Sequence, residues 1–222
     1  TVTYDPSRTV YPHVTTIDFG SGCTGGDGLV RTGKKIITVY ANAATAASGT
    51  LLSQTTFSDF TIDGVNVAGT VQTYLEASPS PGPKVLKVVA NKSLTASDGD
   101  SKIFTATSYW TQIEGAGTET RQDDVYQITS NAEGNETLDG ATAIQWTSHT
   151  DTLHPVIKPI SCSFRTQGGL NIDLHIITNG GADFTEYLDY GNGDCDNKAT
   201  LSINGGTPQE VTLPLLFWPL SL

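Results

Sequence analysis

The chain has no methionine, only three cysteines, about half as many basic as acidic residues, and no extended apolar run before its last ten positions. With 12 Lys and Arg against 23 Asp and Glu, the formal net charge of -11 argues against nucleic acid and anionic membranes as partners, since both recruit cations. The apolar stretch at 213–222 is far shorter than the roughly 20 residues needed to cross a bilayer, so no membrane insertion is expected. The lack of Met makes Thr1 read as a processed end, and Thr1-Val2-Thr3-Tyr4 has neither the basic nor the apolar region of a leader. An extracellular or outer-surface location is the expectation. No two cysteines stand at zinc-ligand spacing.

Runs of Ala, Leu, Glu and Lys at helical spacing are missing, while Thr, Val, Ile, Tyr, Gly, Asn and Asp abound. That is strand and turn composition. Alternating runs at 9–19, 34–40, 60–62, 65–75, 84–90, 102–110, 125–129, 141–146, 160–164, 170–177, 184–190, 199–203 and 210–213 read as strands. Turn chemistry separates them at Asp63-Gly64, 79–83, 97–100, Asn131 to Gly134, 179–181 and 204–206. The small-residue stretch Ala41 to Ala47 reads as a loop or single turn. The expected fold is all-β: one antiparallel β-sandwich domain, Ig-like or jelly-roll-like, over 1–213, followed by an apolar tail at 214–222. Residues 1–14 are a candidate exchanged strand.

Ile17-Asp18-Phe19-Gly20 with Cys23 is echoed by Leu188-Asp189-Tyr190-Gly191 with Cys195. Two strands ending in Asp-aromatic-Gly predict paired corners, with the aromatic on the core face and glycine at the sharp exit. These blocks, with Gly28, Arg31, Gly33-Lys34, Thr56-Phe57, Asp59-Phe60, Gly69-Thr70 and Asp196-Asn197 ahead of Ile203-Asn204-Gly205, resemble a group of secreted or lipid-anchored surface proteins common in Bacteroidota. The resemblance spans nearly the whole chain and implies surface location and an all-β fold, with no established biochemical function. Members of the group usually carry a further Cys ahead of the first strand and end soon after the strand matching Val211 to Leu213. This chain departs from them in both respects.

Cys162 and Cys195 are the expected disulfide, closing a loop of roughly 33 residues. Cys23 is then left over, either buried and inert or paired outside this chain. Asp189, Asn192, Asp194 and Asp196 place oxygen donors on one Gly-containing loop, which makes calcium the candidate ion and an Asx-rich turn the alternative; no other cofactor is expected. Alternation sends His149 and Asp151 to one side of a strand and His154 to the other, so no metal site or catalytic group is expected there. His13 and His175 read as structural histidines inside strands. With no nucleophile elbow, the chain is not expected to be an enzyme. Thr152, in Asp151-Thr152-Leu153, resembles the O-glycosylation signal of Bacteroidota, and Asn91 and Asn135 fit the N-glycosylation pattern.

An apolar end on a dilute, acidic chain needs cover. Leu215, Leu216, Phe217, Trp218 and Leu220, with Val2 and Tyr4 at the other terminus, are the candidate assembly residues. They predict a structural, pilin-like subunit that forms homo-oligomeric filaments by inserting a terminal segment into a neighbour. The alternative is a monomeric secreted carbohydrate-binding or adhesin module, with Tyr109, Trp110, Trp146 and Tyr187 as candidate sugar platforms.

Overall fold

The computed structural model describes residues 1–77, 84–118, 120–178 and 180–213. The candidate tail residues Leu215, Leu216, Phe217, Trp218 and Leu220 lie outside them. The described chain is all-β and antiparallel, as the composition predicts. Its first half contains β1 (Val2–Asp5), β2 (His13–Asp18), β3 (Cys23–Thr24), β4 (Val30–Val39), β5 (Leu51–Ile62), β6 (Val65–Ala77), β7 (Val85–Thr95) and β8 (Ser101–Glu114). The second half contains β9 (Val125–Leu138), β10 (Thr142–Thr150), β11 (Val156–Pro159), β12 (Gln167–Ile176), β13 (Ala182–Asn192), β14 (Lys198–Ile203) and β15 (Gln209–Thr212).

All of these strands join one sheet whose order follows the chain, apart from the short β3, which pairs with β4, and β11, which pairs with β9 and β12. Its connections range from tight hairpin turns to loops such as those between β4 and β5 and between β8 and β9. Asp63 and Gly64, at φ 47° and 81°, form the two-residue hairpin turn between β5 and β6.

Alternation then divides the side chains. On β8, Lys102, Phe104 and Ala106 are buried while Ile103 and Thr105 are exposed; on β9, Tyr126, Ile128, Ser130, Ala132 and Glu136 are buried while Asn131, Glu133 and Asn135 are exposed. The inward positions build two cores. One gathers Tyr126, Ile128, Val156, Leu170, Ile172, Leu188 and Tyr190, and the other Phe60, Val67, Leu94, Phe104 and Trp146.

The echoed corners serve one core each. Gly20 N–H donates to Asp18 Oδ1 and Gly191 N–H to Asp189 Oδ1, both at 2.8 Å, and both glycines take positive φ. Phe19 packs on the second core and Tyr190 is buried in the first. The Cys162–Cys195 disulfide is formed, with the Cα atoms 5.6 Å apart. Cys23 is an exposed thiol on β3, which removes the buried alternative.

Two sequence assignments are corrected. Ile160 to Phe164 is not a strand; the strand is β11, just before it, and the segment after it turns so that Cys162 reaches Cys195. Asn131 to Gly134 is not a break but the middle of β9, where hydrogen-bonded neighbours on both sides override the poor strand propensity of Asn and Gly. Gly134 has a packing reason to be there. A Cβ on it would stand 2.5 Å from the Ile103 carbonyl oxygen and 2.8 Å from Trp146 Cζ2. Gly134→Ala is therefore expected to lower stability by about 1 to 3 kcal/mol, read from the urea midpoint; an unchanged midpoint would show that the Ile103 backbone and the Trp146 ring both give way freely.

Candidate functional site

Residues directly opposite one another in antiparallel strands share a face, so the registers of β8, β9, β10, β12 and β13 define rows that cross all five. Phe104, Gly134, Trp146, Leu174 and Phe184 form one such row. Phe104 and Trp146 are buried, so the row points inward and only its backbone floors the outer face. Two outward rows flank it. Ile103, Asn135, Gln145, His175 and Asp183 stand on one side; Thr105, Glu133, Thr147, Asp173 and Thr185 stand on the other. Together they enclose a transverse trough of about 690 Å³. A third row, Thr107, Asn131, His149, Asn171 and Tyr187, follows by register. Its first three residues line a second hollow of about 410 Å³, which shares Thr105, Glu133 and Thr147 with the trough.

Nearly every wall position carries a hydrogen-bonding group. The exception is Ile103, 64% exposed, an apolar spot beside Asn135. Glu133, Asp173 and Asp183 supply carboxylates, and among the described residues no Lys or Arg lines either hollow. His175 is not the structural histidine expected: it is exposed on the wall, with Nδ1 2.7 Å from Asp183 Oδ1. His13 is the structural one, buried with Nδ1 3.0 Å from the Val10 carbonyl.

At the end of the third row, Tyr187 O–H donates to Asp151 Oδ2 at 3.1 Å, and His154 Nδ1 lies 2.7 Å from the same oxygen. Alternation was the wrong guide for that pair, because β10 ends at Thr150 and the following turn folds His154 back onto Asp151. The His154 contact is the main cause that holds the Asp151 carboxyl down to about 2, while burial and then Asp151 push the Tyr187 phenol up to about 12. Tyr187 lies over Gly169, where a Cβ would strike its ring.

The other expected site residues fall elsewhere. Trp146 is buried in the second core and Trp110 packs edge-on to Tyr126, so neither offers a ring face to a sugar; Tyr109 and Tyr187 are on the outer face. Asp189, Asn192, Asp194 and Asp196 do line one cavity of about 170 Å³, but Lys198 and Glu210 line it too, paired at 3.0 Å. Asp189 Oδ1 and Asp196 Oδ1 are occupied by the N–H groups of Gly191 and Lys198. Among the described residues no three His, Cys, Asp or Glu side chains converge on a metal position. Thr152 sits on an exposed turn beside Leu153, which is 83% exposed. Val2 and Tyr4 lie on β1, paired with β2 of their own chain, and remain about half exposed.

The trough itself escaped sequence reading. The part of β9 that crosses it reads as a turn, and no local signal tells that residues as far as 80 positions apart, such as Ile103 and Asp183, share a row. No family model matches the chain, and neither the curated proteins nor the solved structures contain a match to it.

Proposed function

We propose that this chain is an extracellular binding module whose outer trough holds a neutral polysaccharide chain. The supporting observation is the crossing rows of hydrogen-bonding side chains at the strand repeat. Strands lie about 4.8 Å apart, close to the length of one pyranose unit, so five strands offer room for about four sugar rings laid across them. Thr, Asn, Gln and His match sugar hydroxyls, and the carboxylates accept from them with charge-assisted strength. Ile103 offers an apolar contact for a ring face. The excess of carboxylates and absence of cations on the walls disfavour uronate or sulfated polymers. A disulfide-bonded chain, with no helix among the described residues long and apolar enough to cross a membrane, fits an extracellular setting.

Affinity electrophoresis through gels loaded with neutral glucans, xylans or mannans tests this. At least one should retard the protein, and Glu133→Ala and Asp173→Ala should each weaken binding about tenfold or more, since hydrogen bonds to charged groups contribute about 1.5 to 3 kcal/mol. Failure of every neutral polysaccharide, or binding indifferent to both substitutions, would sink the proposal.

Filament assembly is the second reading. It is favoured by the sheet's two open edges, both made by terminal strands: among the described residues β1 pairs only with β2, and β15 only with β14. Electron microscopy of the intact chain separates the two readings, because regular filaments would support assembly and dispersed particles would leave binding in solution.

A further inference from the structure

The second hollow is not a continuation of the trough but its neighbour along the strands. Thr105, Glu133 and Thr147 line both, so their row is a ridge with the trough on one side and the smaller hollow on the other. Ala106, Ala132 and Ser148 stand opposite one another on β8, β9 and β10 and are buried, so the hollow, like the trough, is floored by backbone. Its far wall is Thr107, Asn131 and His149. Rows two residues apart on a strand are separated by about 7 Å, close to the breadth of one pyranose ring.

The two hollows differ in length. The trough crosses five strands, whereas the second hollow, of about 410 Å³, crosses only β8, β9 and β10. On β7 the residue opposite Thr107 is Val89, which ends the run of hydrogen-bonding groups. Past β10 the row continues as Asn171 and Tyr187 without lining the hollow, and the Tyr187 hydroxyl is already committed to Asp151. At about 4.8 Å per strand, three strands give room for about two sugar rings and for no continuing chain. The chemistry is that of the trough. Thr107, Asn131 and His149 offer donors and acceptors, Glu133 stands between the hollows, and among the described residues no cation lines the second one.

We propose that the second hollow receives a short neutral side branch of a polysaccharide whose main chain lies in the trough. The inference rests on the trough reading and names its substrate class, a backbone carrying branches of one or two sugars. A branch leaving the main chain sideways crosses the ridge of Thr105, Glu133 and Thr147, where its hydroxyls meet the carboxylate that also serves the main chain. That carboxylate, with no cation beside it, disfavours an acidic branch. Only main-chain units over β8, β9 and β10 can carry the branch, because β12 and β13 line the trough alone.

Calorimetric titration of the full chain with matched neutral oligosaccharides tests this: mannohexaose, xylohexaose and cellohexaose, each beside a counterpart bearing single-sugar branches. For at least one backbone the branched member should bind at least about fivefold more tightly, as a few added neutral hydrogen bonds allow. Asn131→Ala and His149→Ala, at exposed positions that line only the second hollow, should each cut that preference at least about twofold while the linear member binds as before. Glu133→Ala, on the shared ridge, should weaken both members. Linear hexaoses that bind, and that lose affinity on Asp173→Ala, beside branched counterparts that bind no better would overturn the branch site and leave the trough reading standing. A branch preference that survives both Asn131→Ala and His149→Ala would overturn it equally. Binding of no member of any pair would remove the trough reading, and the branch site with it.

Discussion

Lys102→Met alone is expected to lower the unfolding free energy by about 3 to 5 kcal/mol, the range for leaving a buried charge without its opposite charge. Lys102 and Glu136 stand directly opposite each other on β8 and β9, 1% and 3% exposed. Burial disfavours both charges, pushing the ammonium down to about 7 and the carboxyl up to about 7, and each charge offsets part of the other's penalty. The ammonium also lies 4.9 Å from the ring centre of Trp146 and 5.7 Å from that of Phe104. Methionine keeps most of the volume and the apolar contacts. It leaves behind a carboxylate whose Oε1 has no hydrogen-bond partner among the described residues, with Asp100 and Glu186 pushing its pKa further up.

That loss has a pH signature. In the variant Glu136 keeps a folded pKa above its ordinary 4.5, so the folded state binds the extra proton and stability is retained below about pH 4.5 and lost as pH rises toward 8. Lys102→Met combined with Glu136→Leu removes both charges and should return to within about 1 kcal/mol of the parent. Urea unfolding of the two single variants, the double variant and the parent at pH 4.5 and 7.5 reads the coupling. A double variant as weak as Lys102→Met would show that packing, not charge, is what the lysine contributes.

The same cluster shows where sequence reading stops. A Lys and a Glu on strands of mixed character look like solvated surface, and only the pairing of β8 with β9 puts them opposite each other inside the sheet. Features written within a few residues were legible: the Asp-aromatic-Gly corners, the Asp63-Gly64 hairpin and the strand-rich composition each depend on local chemistry. Asn131 to Gly134 misled because its local chemistry does favour a turn, and two flanking strands overrule it. His154 misled for the opposite reason, since extended alternation was assumed past the point where β10 ends. The trough rows have no local signature at all. They are products of register, and register is set by the whole meander.

Removing the Cys162–Cys195 disulfide, by Cys162→Ala with Cys195→Ala, is expected to cost about 3 to 4 kcal/mol. The bond spans 33 positions, and a closed loop of that size restricts the unfolded chain by about this amount in the chain-entropy model. For a domain of this length the shift corresponds to a fall of roughly 10 °C in melting temperature. The cross-link also fixes two segments with little regular structure of their own. It holds the turn after β11, where the Lys158 ammonium caps the carbonyls of Cys162 and Phe164, to the corner after β13, where Gly193 N–H donates to the Thr166 carbonyl at 2.8 Å. Cys23→Ser, at an exposed thiol with no partner cysteine, should change stability by less than about 0.5 kcal/mol. Differential scanning calorimetry of the parent with and without reductant, beside both variants, measures this. A fall of less than about 3 °C on losing the disulfide would mean that the β-sheet holds those two corners by itself, with little contribution from the cross-link.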